Sequence, residues 1–181
     1  MSTDLARREG SAAVLVHATS LILGRACEPF GTTVDGAVLL LGGSGSGKSD
    51  VALRLIAIGA QLLSDDQTAL FVDSGRLSAQ APPSLYGRME IRGVGIVTMQ
   101  AARSAPVMLA VILDRATGIP RLPDPLRYTP PEALGAVQGP PLLYLSPFEA
   151  STPAKIAAAA AGLVQSTFVA GLVSPSSGPF F

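Results

Sequence analysis

The sequence predicts an α/β domain, and three consecutive segments carry that prediction. A short, continuous apolar run, Ala37–Leu41, is typical of a strand that is buried on both faces. After a glycine-rich break, apolar residues recur at every third or fourth position over Lys48–Ala60, which predicts a helix that Gly59 ends. Gln61–Ser64 then forms a second short strand. A strand, a helix and a strand in this order are the building unit of α/β folds.

The other predicted elements follow from the same patterns. Ala12–Leu23 is apolar and partly β-branched, which predicts a first strand, and Gly24–Gly36 is a turn-rich excursion with Thr32 and Thr33 on a second strand. Loops and short strands are expected over Arg76–Gln100 because prolines and glycines interrupt the segment. The further predicted strands are Ala69–Val72, Val107–Leu113 and Pro141–Leu145, the last after a Pro-rich loop region, Ala116–Gly139.

An Ala-rich segment, Pro153–Val173, is predicted to form the closing helix, with Thr152 as its N-cap and Pro153 at its first position. Its part Ile156–Val173 could be mistaken for a membrane span, but it is poor in bulky apolar residues, and alanine contributes little to membrane insertion. We therefore favour a buried or interface helix over a membrane span. We expect one domain over residues 1–181, with flexible ends at 1–10 and 174–181.

Composition excludes several classes of protein. Thirteen Lys and Arg residues balance thirteen Asp and Glu residues, so the chain lacks the basic excess that nucleic-acid binding normally needs. Hydrophobic residues make up 48% of the chain, which is typical of a folded domain. Cys27 is the single cysteine, so neither an intrachain disulfide nor a multi-cysteine zinc site can form. No secretory signal is evident at the N-terminus, and we expect a soluble, cytoplasmic protein.

A phosphate-binding loop is the strongest motif in the chain. The pattern G-x-x-x-x-G-K-[ST] is present between the predicted strand and helix, which is the context that supports it. Backbone N–H groups of such a loop point inward at an anion, and the helix adds its positive N-terminal end. Lys48 can reach the β- and γ-phosphates, and the Ser49 hydroxyl can ligate Mg²⁺. The predicted nucleotide-binding residues are Gly42, Gly43, Ser44, Gly45, Ser46, Gly47, Lys48 and Ser49.

Two adjacent acids, Asp65 and Asp66, follow the next predicted strand. In a parallel α/β sheet the end of that strand lies at the same carboxyl edge as the phosphate loop. A carboxylate at this place can hold Mg²⁺ or accept a proton from an attacking hydroxyl group. The alternative is a surface turn with two solvated acids. The residue pattern alone does not rank the two acids.

The runs GGSGSGKSDVALRLIAIGAQLLSDD and APPSLYGRMEIRGVGIV resemble the catalytic domain of HPr kinase/phosphorylase. That family's pattern is a phosphate loop, a helix ending in Gly, a "DD" strand end and an E-[IV]-R-G-x-G-I segment, and all four occur here in order. The resemblance extends from about His17 to the Ala-rich helix and is strongest over Gly42–Val97. It implies a P-loop kinase-like domain with a central mixed sheet, of the HPr kinase C-terminal-domain type.

The resemblance also implies roles for individual residues. Asp65 corresponds to the catalytic acid and base, and Asp66 supports it. Lys48 and Ser49 match the phosphate and Mg²⁺ contacts. The other implied site residues are Glu90 as a second Mg²⁺ ligand, His17 beside the catalytic aspartate, and Arg121 on the transferred phosphoryl group. Without the resemblance, His17 would be interpreted as a core residue, and Glu90 and Arg121 as surface charges.

By the same resemblance, the chain is an ATP- and Mg²⁺-dependent serine kinase acting on HPr, a carrier of the phosphotransferase system. The family also runs the reverse reaction, in which inorganic phosphate releases pyrophosphate, and it forms hexamers. The chain is similar to a truncated, catalytic-domain-only proteobacterial form. Two alternatives stay open: a small-molecule kinase, although no arginine-rich lid is evident, and a non-catalytic nucleotide-sensing module. Neither a nucleic acid nor a membrane is an expected partner.

Overall fold

The computed structural model describes residues 13–114 and 119–167 and confirms the predicted α/β class. The expected flexible ends, 1–10 and 174–181, lie outside the described residues, as does the end of the predicted closing helix. The strands of the described part are β1 (Val14–Val16), β2 (Ala18–Gly24), β3 (Val34–Leu41), β4 (Gln61–Ser64), β5 (Thr68–Asp73), β6 (Arg76–Gln80), β7 (Arg88–Ile91), β8 (Gly95–Thr98), β9 (Ser104–Leu113), β10 (Leu126–Arg127) and β11 (Pro141–Leu145). Its α-helices are α1 (Lys48–Ala57) and α2 (Thr152–Gln165).

The central sheet is mixed, as expected. Its strand order is β1-β5-β6-β9-β3-β2-β4, and β11, with β10 beyond it, also pairs with β9. The strands β3, β9 and β11 are parallel neighbours. Strand β2 is antiparallel to both β3 and β4, so β3 and β4 point the same way. The carboxyl ends of β3, β4, β9 and β11 therefore lie at one edge of the sheet.

The prediction of one strand over Ala12–Leu23 is wrong. The described part of this segment consists of two strands, which meet at His17. Strand β1 pairs with β5, whereas β2 pairs with β3 and β4. The chain bends at His17 because it passes from one part of the sheet to another. The prediction of a strand at Thr32 and Thr33 is also wrong: a short 3₁₀ helix, Arg25–Phe30, occupies the excursion, and β3 begins at Val34.

The core is divided between the two faces of β3. Val38 and Leu40 belong to a buried cluster that includes the apolar faces of α1 and α2. Ala37 and Leu39 belong to a second cluster, built with β5, β6 and Leu134. Side chains of a strand alternate between faces, so a run without polar residues is what a strand covered on both sides requires.

The closing helix α2 lies close to the rest of the domain because its buried face consists largely of alanines. The predicted N-cap is wrong by one residue. Ser151 is the cap, and Thr152 is the buried first residue of the helix, whose Oγ1 donates to the Ser146 carbonyl at 2.5 Å. Burial inside the turn directs this hydroxyl to the preceding loop instead of to the helix. No helix within residues 13–114 and 119–167 is long and apolar enough to cross a membrane.

A separate two-stranded sheet, the β7–β8 hairpin, stands beside the carboxyl edge of the central sheet. Its anchor is Met89, which is 1% exposed and belongs to the cluster under α1 and α2. The strands pair from Arg88 opposite Thr98 to Ile91 opposite Gly95. The hairpin carries the E-[IV]-R-G-x-G-I segment, so it brings that segment to the same edge as the phosphate loop.

Candidate functional site

The phosphate loop, residues 42–49, joins the carboxyl end of β3 to the first turn of α1. Gly42 and Gly47 have φ angles of 143° and 95°, which L side chains rarely adopt. A Cβ atom at Gly42 would also lie 2.6 Å from Ser46 Oγ and 2.9 Å from the Leu113 carbonyl. Glycine is therefore required at the start of the loop for space as well as for conformation.

Lys48 is buried at the centre of the site, with 6% of its surface exposed. Its Nζ donates to the carbonyl oxygens of Gly42 and Gly43 at 2.9 and 3.0 Å, and it lies 3.0 Å from His17 Nε2. The pKa of Lys48 lies below its ordinary value because the amine is buried, and the nearby carboxylates of Asp66 and Asp65 oppose this lowering. The two acids thus counteract the effect of burial on the charged ammonium form, which is the form that binds phosphate.

The contacts of His17 define which ring nitrogen carries the proton. A charged Lys48 ammonium group has donors and no acceptor, so Nε2 of His17 must accept from it. The proton of the neutral ring is then on Nδ1, which donates to the Asp66 carbonyl at 3.0 Å. Nδ1 is also 3.3 Å from Asp66 Oδ1. His17 therefore links Lys48 to Asp66, and with 47% of its side chain exposed it is not a core residue.

Asp65 is a buried acceptor, 4% exposed, and three donors reach its carboxylate. Oδ1 accepts from Thr19 Oγ1 at 2.8 Å and from Ser49 Oγ at 3.1 Å. Oδ2 accepts from the Glu90 backbone N–H at 3.1 Å. These bonds join β2, the phosphate loop and the β7–β8 hairpin through one side chain. The carboxylate is thus held in a fixed position facing the loop hydroxyl.

Asp66 has a different environment although it is the next residue. Its backbone is left-handed, with φ at 65°, a conformation that Asp tolerates better than most residues. The Gln67 N–H donates to the Asp65 carbonyl at 2.8 Å, so the chain turns at once after β4. This turn directs the Asp66 carboxylate toward His17 and leaves it 68% exposed. Of the two acids, Asp66 is the one that a bound substrate can reach.

Two residues implied by the resemblance take other positions. Glu90 contributes its backbone N–H, while its side chain is exposed on the hairpin. Arg121 is exposed in the connection between β9 and β10, and among the described residues no hydrogen bond or ion pair joins it to the loop or to either acid. The residues that the structure brings together are His17, Lys48, Ser49, Asp65 and Asp66.

The oxygen ligands near Ser49 suit Mg²⁺. Within residues 13–114 and 119–167, no three His, Cys, Asp or Glu side chains form a cluster that could hold a metal ion by themselves. In nucleotide enzymes, however, Mg²⁺ takes one or two protein oxygens and the phosphates supply others. The Ser49 hydroxyl and the Asp65 carboxylate, 3.1 Å apart, provide such a pair.

Two parts of the site were not predicted from the sequence. Thr19 supports Asp65 from β2, and a buried threonine in an apolar strand was the available signal. Arg54 of α1 holds the loop after β11: it donates to the Pro147 carbonyl, and also to the Glu149 carbonyl at 3.1 Å. No local pattern predicts the contact of Arg54 with this loop, since about ninety residues separate the partners along the chain.

Comparison with known proteins agrees with this geometry. Residues 30–105 match the family described as HPr Serine kinase C-terminal domain. An HPr kinase/phosphorylase from Bordetella petrii is 33% identical over 123 residues, which are 59% of this chain and 40% of that protein. One from Lactobacillus acidophilus is 46% identical over 61 residues, 33% of this chain and 19% of that protein. The chain thus spans well under half the length of these curated relatives.

The fold has a counterpart among solved structures. The HPr(Ser) kinase/phosphatase of Coxiella burnetii superposes with a TM-score of 0.62 and 24% sequence identity, over 80% of this chain and 91% of that one. At this identity the likeness establishes the fold alone. Over residues 30–105, which contain the phosphate loop and both acids, the chain is similar to the HPr Serine kinase C-terminal domain.

Proposed function

We propose that this chain transfers the γ-phosphoryl group of ATP to a serine hydroxyl of an HPr-type carrier protein. The observation that carries the proposal is the linked set of Lys48, His17 and Asp66 beside a phosphate loop. It combines a cation for phosphate, a reachable carboxylate and a histidine in contact with both. Phosphoryl transfer requires little more than positioning, charge stabilisation and a base for the nucleophile.

In the forward reaction we assign the role of base to Asp66. Asp66 accepts the serine proton as the serine oxygen attacks the γ-phosphorus. The bond between that phosphorus and the β–γ bridging oxygen breaks, and ADP leaves. Lys48 and the loop N–H groups stabilise the negative charge. The family resemblance implies that Asp65 is the base. However, Asp65 is buried and its carboxylate accepts three hydrogen bonds, which favours a supporting role for it.

Mg²⁺, when bound with the nucleotide, would neutralise charge on the β- and γ-phosphates. Ser49 and Asp65 would hold it, and the Glu90 N–H keeps the Asp65 carboxylate in place. We retain the Glu90 side chain as a further Mg²⁺ ligand and Arg121 as a phosphoryl contact in the substrate complex. Each of these two assignments requires its side chain to turn toward the loop on binding.

The reverse reaction uses the same groups. Inorganic phosphate attacks the phosphoserine phosphorus, the serine oxygen leaves, and Asp66 returns the proton to it, which yields serine and pyrophosphate. One carboxylate serves both directions because a base in one direction is an acid in the other. We further propose that the protein works in the cytoplasm as a hexamer. Exposed apolar side chains, such as Leu15 at 58% and Leu122 at 72%, are available for subunit contacts.

The direct test is to incubate the protein with HPr, ATP and Mg²⁺ and to detect phosphoserine by mass spectrometry. We expect phosphorylated HPr, and pyrophosphate when the product is returned with inorganic phosphate. ATP consumption without HPr would instead favour the small-molecule kinase, and ATP binding without turnover on any acceptor would favour the sensing module.

Variants of the acids test their separate roles. Asp66→Asn should lower kcat by about 100-fold or more with ATP binding retained, since a positioned base contributes that much. Asp65→Asn should destabilise the fold by about 1–3 kcal/mol because its amide faces donors. Asp35→Asn is the matched control, since Asp35 lies on a cleft at the opposite edge of the sheet. Full activity in Asp66→Asn with loss in Asp65→Asn alone would reverse our assignment.

A further inference from the structure

A second loop stands beside the phosphate loop, and the proposed reaction does not account for it. This loop, residues 146–149, follows the carboxyl end of β11 and precedes α2. Because β11, β9 and β3 are parallel, it emerges at the same edge of the sheet as residues 42–49. The two loops are therefore neighbours in space, although they lie far apart along the chain.

Pro147 of this second loop packs directly on the backbone of Gly47. Pro147 is buried, and a Cβ atom built on Gly47 would lie 2.9 Å from Pro147 Cβ and 3.6 Å from its Cγ. Gly47 has a left-handed backbone, with φ at 95°, and its carbonyl accepts the first hydrogen bond of α1, from the Val51 N–H at 2.9 Å. The proline ring therefore forms a wall against the turn by which the phosphate loop enters the helix.

Arg54 of α1 holds Pro147 against that turn. It lies seven residues after Gly47, which is about two helical turns or about 10 Å along the axis, and helical side chains lean toward the N-terminus. Its guanidinium group pairs with Asp50 at 2.9 Å and donates to the carbonyl oxygens of Pro147 and Glu149. The side chain is only 30% exposed, so water competes little for these donors.

We propose that Arg54 is a positioning residue for the phosphate loop and that it acts through Pro147. The contacts form a closed path: Gly47 leads into α1, Arg54 of α1 bonds the Pro147 carbonyl, and the Pro147 ring packs back on Gly47. A loop that is fixed in its binding conformation before the anion arrives loses less conformational entropy on binding. This inference rests on the proposed function, because it assumes that residues 42–49 hold the nucleotide's phosphates.

Arg54→Met tests the inference, because methionine has a similar helix propensity but offers no donor. The probe is inorganic tripolyphosphate with Mg²⁺, which presents phosphates without a base, and its binding is measured by isothermal titration calorimetry. We expect its affinity to fall by about tenfold, the scale of one hydrogen bond to a charged group. In the HPr assay the KM for ATP should rise by a similar factor while kcat is kept, because Arg54 contacts no reacting group.

Two further variants separate positioning from a general loss of structure. Arg54→Lys keeps a charged donor for the Pro147 carbonyl but lacks the planar fork that reaches both carbonyls, so it should bind tripolyphosphate with intermediate affinity. Lys155→Met is the matched control, since Lys155 is also a cation that contacts this loop, but at the exposed Glu149 carboxylate. It should bind tripolyphosphate like wild-type protein. Equal losses in Arg54→Met and Lys155→Met would overturn the inference.

A double-mutant cycle with Pro147→Gly tests the route. Glycine removes the ring that packs on Gly47, so this variant alone should also weaken tripolyphosphate binding. The double variant with Arg54→Met should bind about as weakly as either single variant, because both changes break the same path. Additive losses, or an unchanged affinity in Arg54→Met, overturn the inference and spare the proposed function. If wild-type protein binds neither tripolyphosphate nor ATP, the proposed function fails, and this inference fails with it.

Discussion

Asp65 and Asp66 illustrate how neighbouring residues of one type acquire different chemistry. The left-handed backbone at Asp66 turns its carboxylate into solvent beside His17, while the carboxylate of Asp65 accepts three hydrogen bonds in the interior. A buried carboxylate that accepts three hydrogen bonds fixes the position of the groups around it. An exposed carboxylate can exchange a proton with the substrate. The backbone angle of a single residue thus separates the two roles.

At the same scale, the contacts of His17 predict its tautomer. It is the only histidine of the chain, so the ring nitrogens of tag-free protein give one set of NMR signals. We expect the proton on Nδ1 because Nε2 accepts from Lys48. In Lys48→Met this constraint is lost while Nδ1–H still donates to the Asp66 carbonyl, so the proton should shift only partly toward Nε2. A proton on Nε2 in wild-type protein would contradict the arrangement.

Replacement of His17 tests its function. In His17→Ala, Lys48 and Asp66 each lose a partner. We expect kcat to fall by about tenfold or more, in line with hydrogen bonds to charged groups. The melting temperature should change little because the side chain is half-exposed. An unchanged kcat for phosphoserine formation would show that His17 is not a positioning residue.

The β7–β8 hairpin shows what one element contributes to the site. An isolated two-stranded hairpin is at best marginally stable in water, so this one depends on what its inward face contacts. Met89 anchors it in the core, and the N–H of the next residue, Glu90, donates to Asp65. The packing of one apolar side chain therefore supports a bond to the acidic pair.

Met89→Ala should destabilise the protein by about 2–5 kcal/mol, as is typical when a buried side chain of this size is truncated. It should also lower phosphoryl transfer, because Asp65 loses the Glu90 donor. Urea unfolding and the HPr assay measure the two effects. Ile96→Ala, on the same hairpin but 74% exposed, is the control and should cost less than about 0.5 kcal/mol. Equal effects of the two substitutions would show that the hairpin is not anchored through Met89.

For the whole molecule, Cys27 reports on the packing of α2 against the short 3₁₀ helix Arg25–Phe30. Its Sγ lies 3.4 Å from the Ala157 carbonyl of α2, and the residue is fully buried. Burial raises the pKa of this thiol from 9.0 to about 11. The folded state thus holds the thiol proton more tightly than the unfolded chain does.

The raised pKa predicts a pH dependence of folding. Below pH 9 the thiol is protonated in both states, and this contribution to stability is complete; between pH 9 and about 11 only the unfolded chain ionises, so the contribution is lost. Cys27→Ala should show a smaller decline over this window when unfolding free energies are compared. Iodoacetamide should label wild-type Cys27 only as fast as the fold opens. Rapid labelling of native protein would contradict the burial of Cys27.

Much of this protein follows from local sequence. The glycine spacing of residues 42–47 sets the loop, because a left-handed backbone such as that of Gly47 depends on the residue itself. The apolar run of β3 predicts a strand, and the periodicity of α1 predicts a helix. Both patterns likewise depend on the residues of the segment itself. The ordering of loop, helix and acids then indicates a phosphate site, and the family resemblance agrees with it.

The remainder depends on contacts between distant segments. Which acid is exposed depends on the turn after β4 and on Thr19, and the break at His17 depends on two strands pairing in different parts of the sheet. Pro147 comes to Gly47 only because β11 is parallel to β9. The secondary-structure propensity of a segment does not determine which distant residues it contacts. The sequence by itself determined that the chain has a phosphate loop, whereas tertiary packing decided which side chains stand around it.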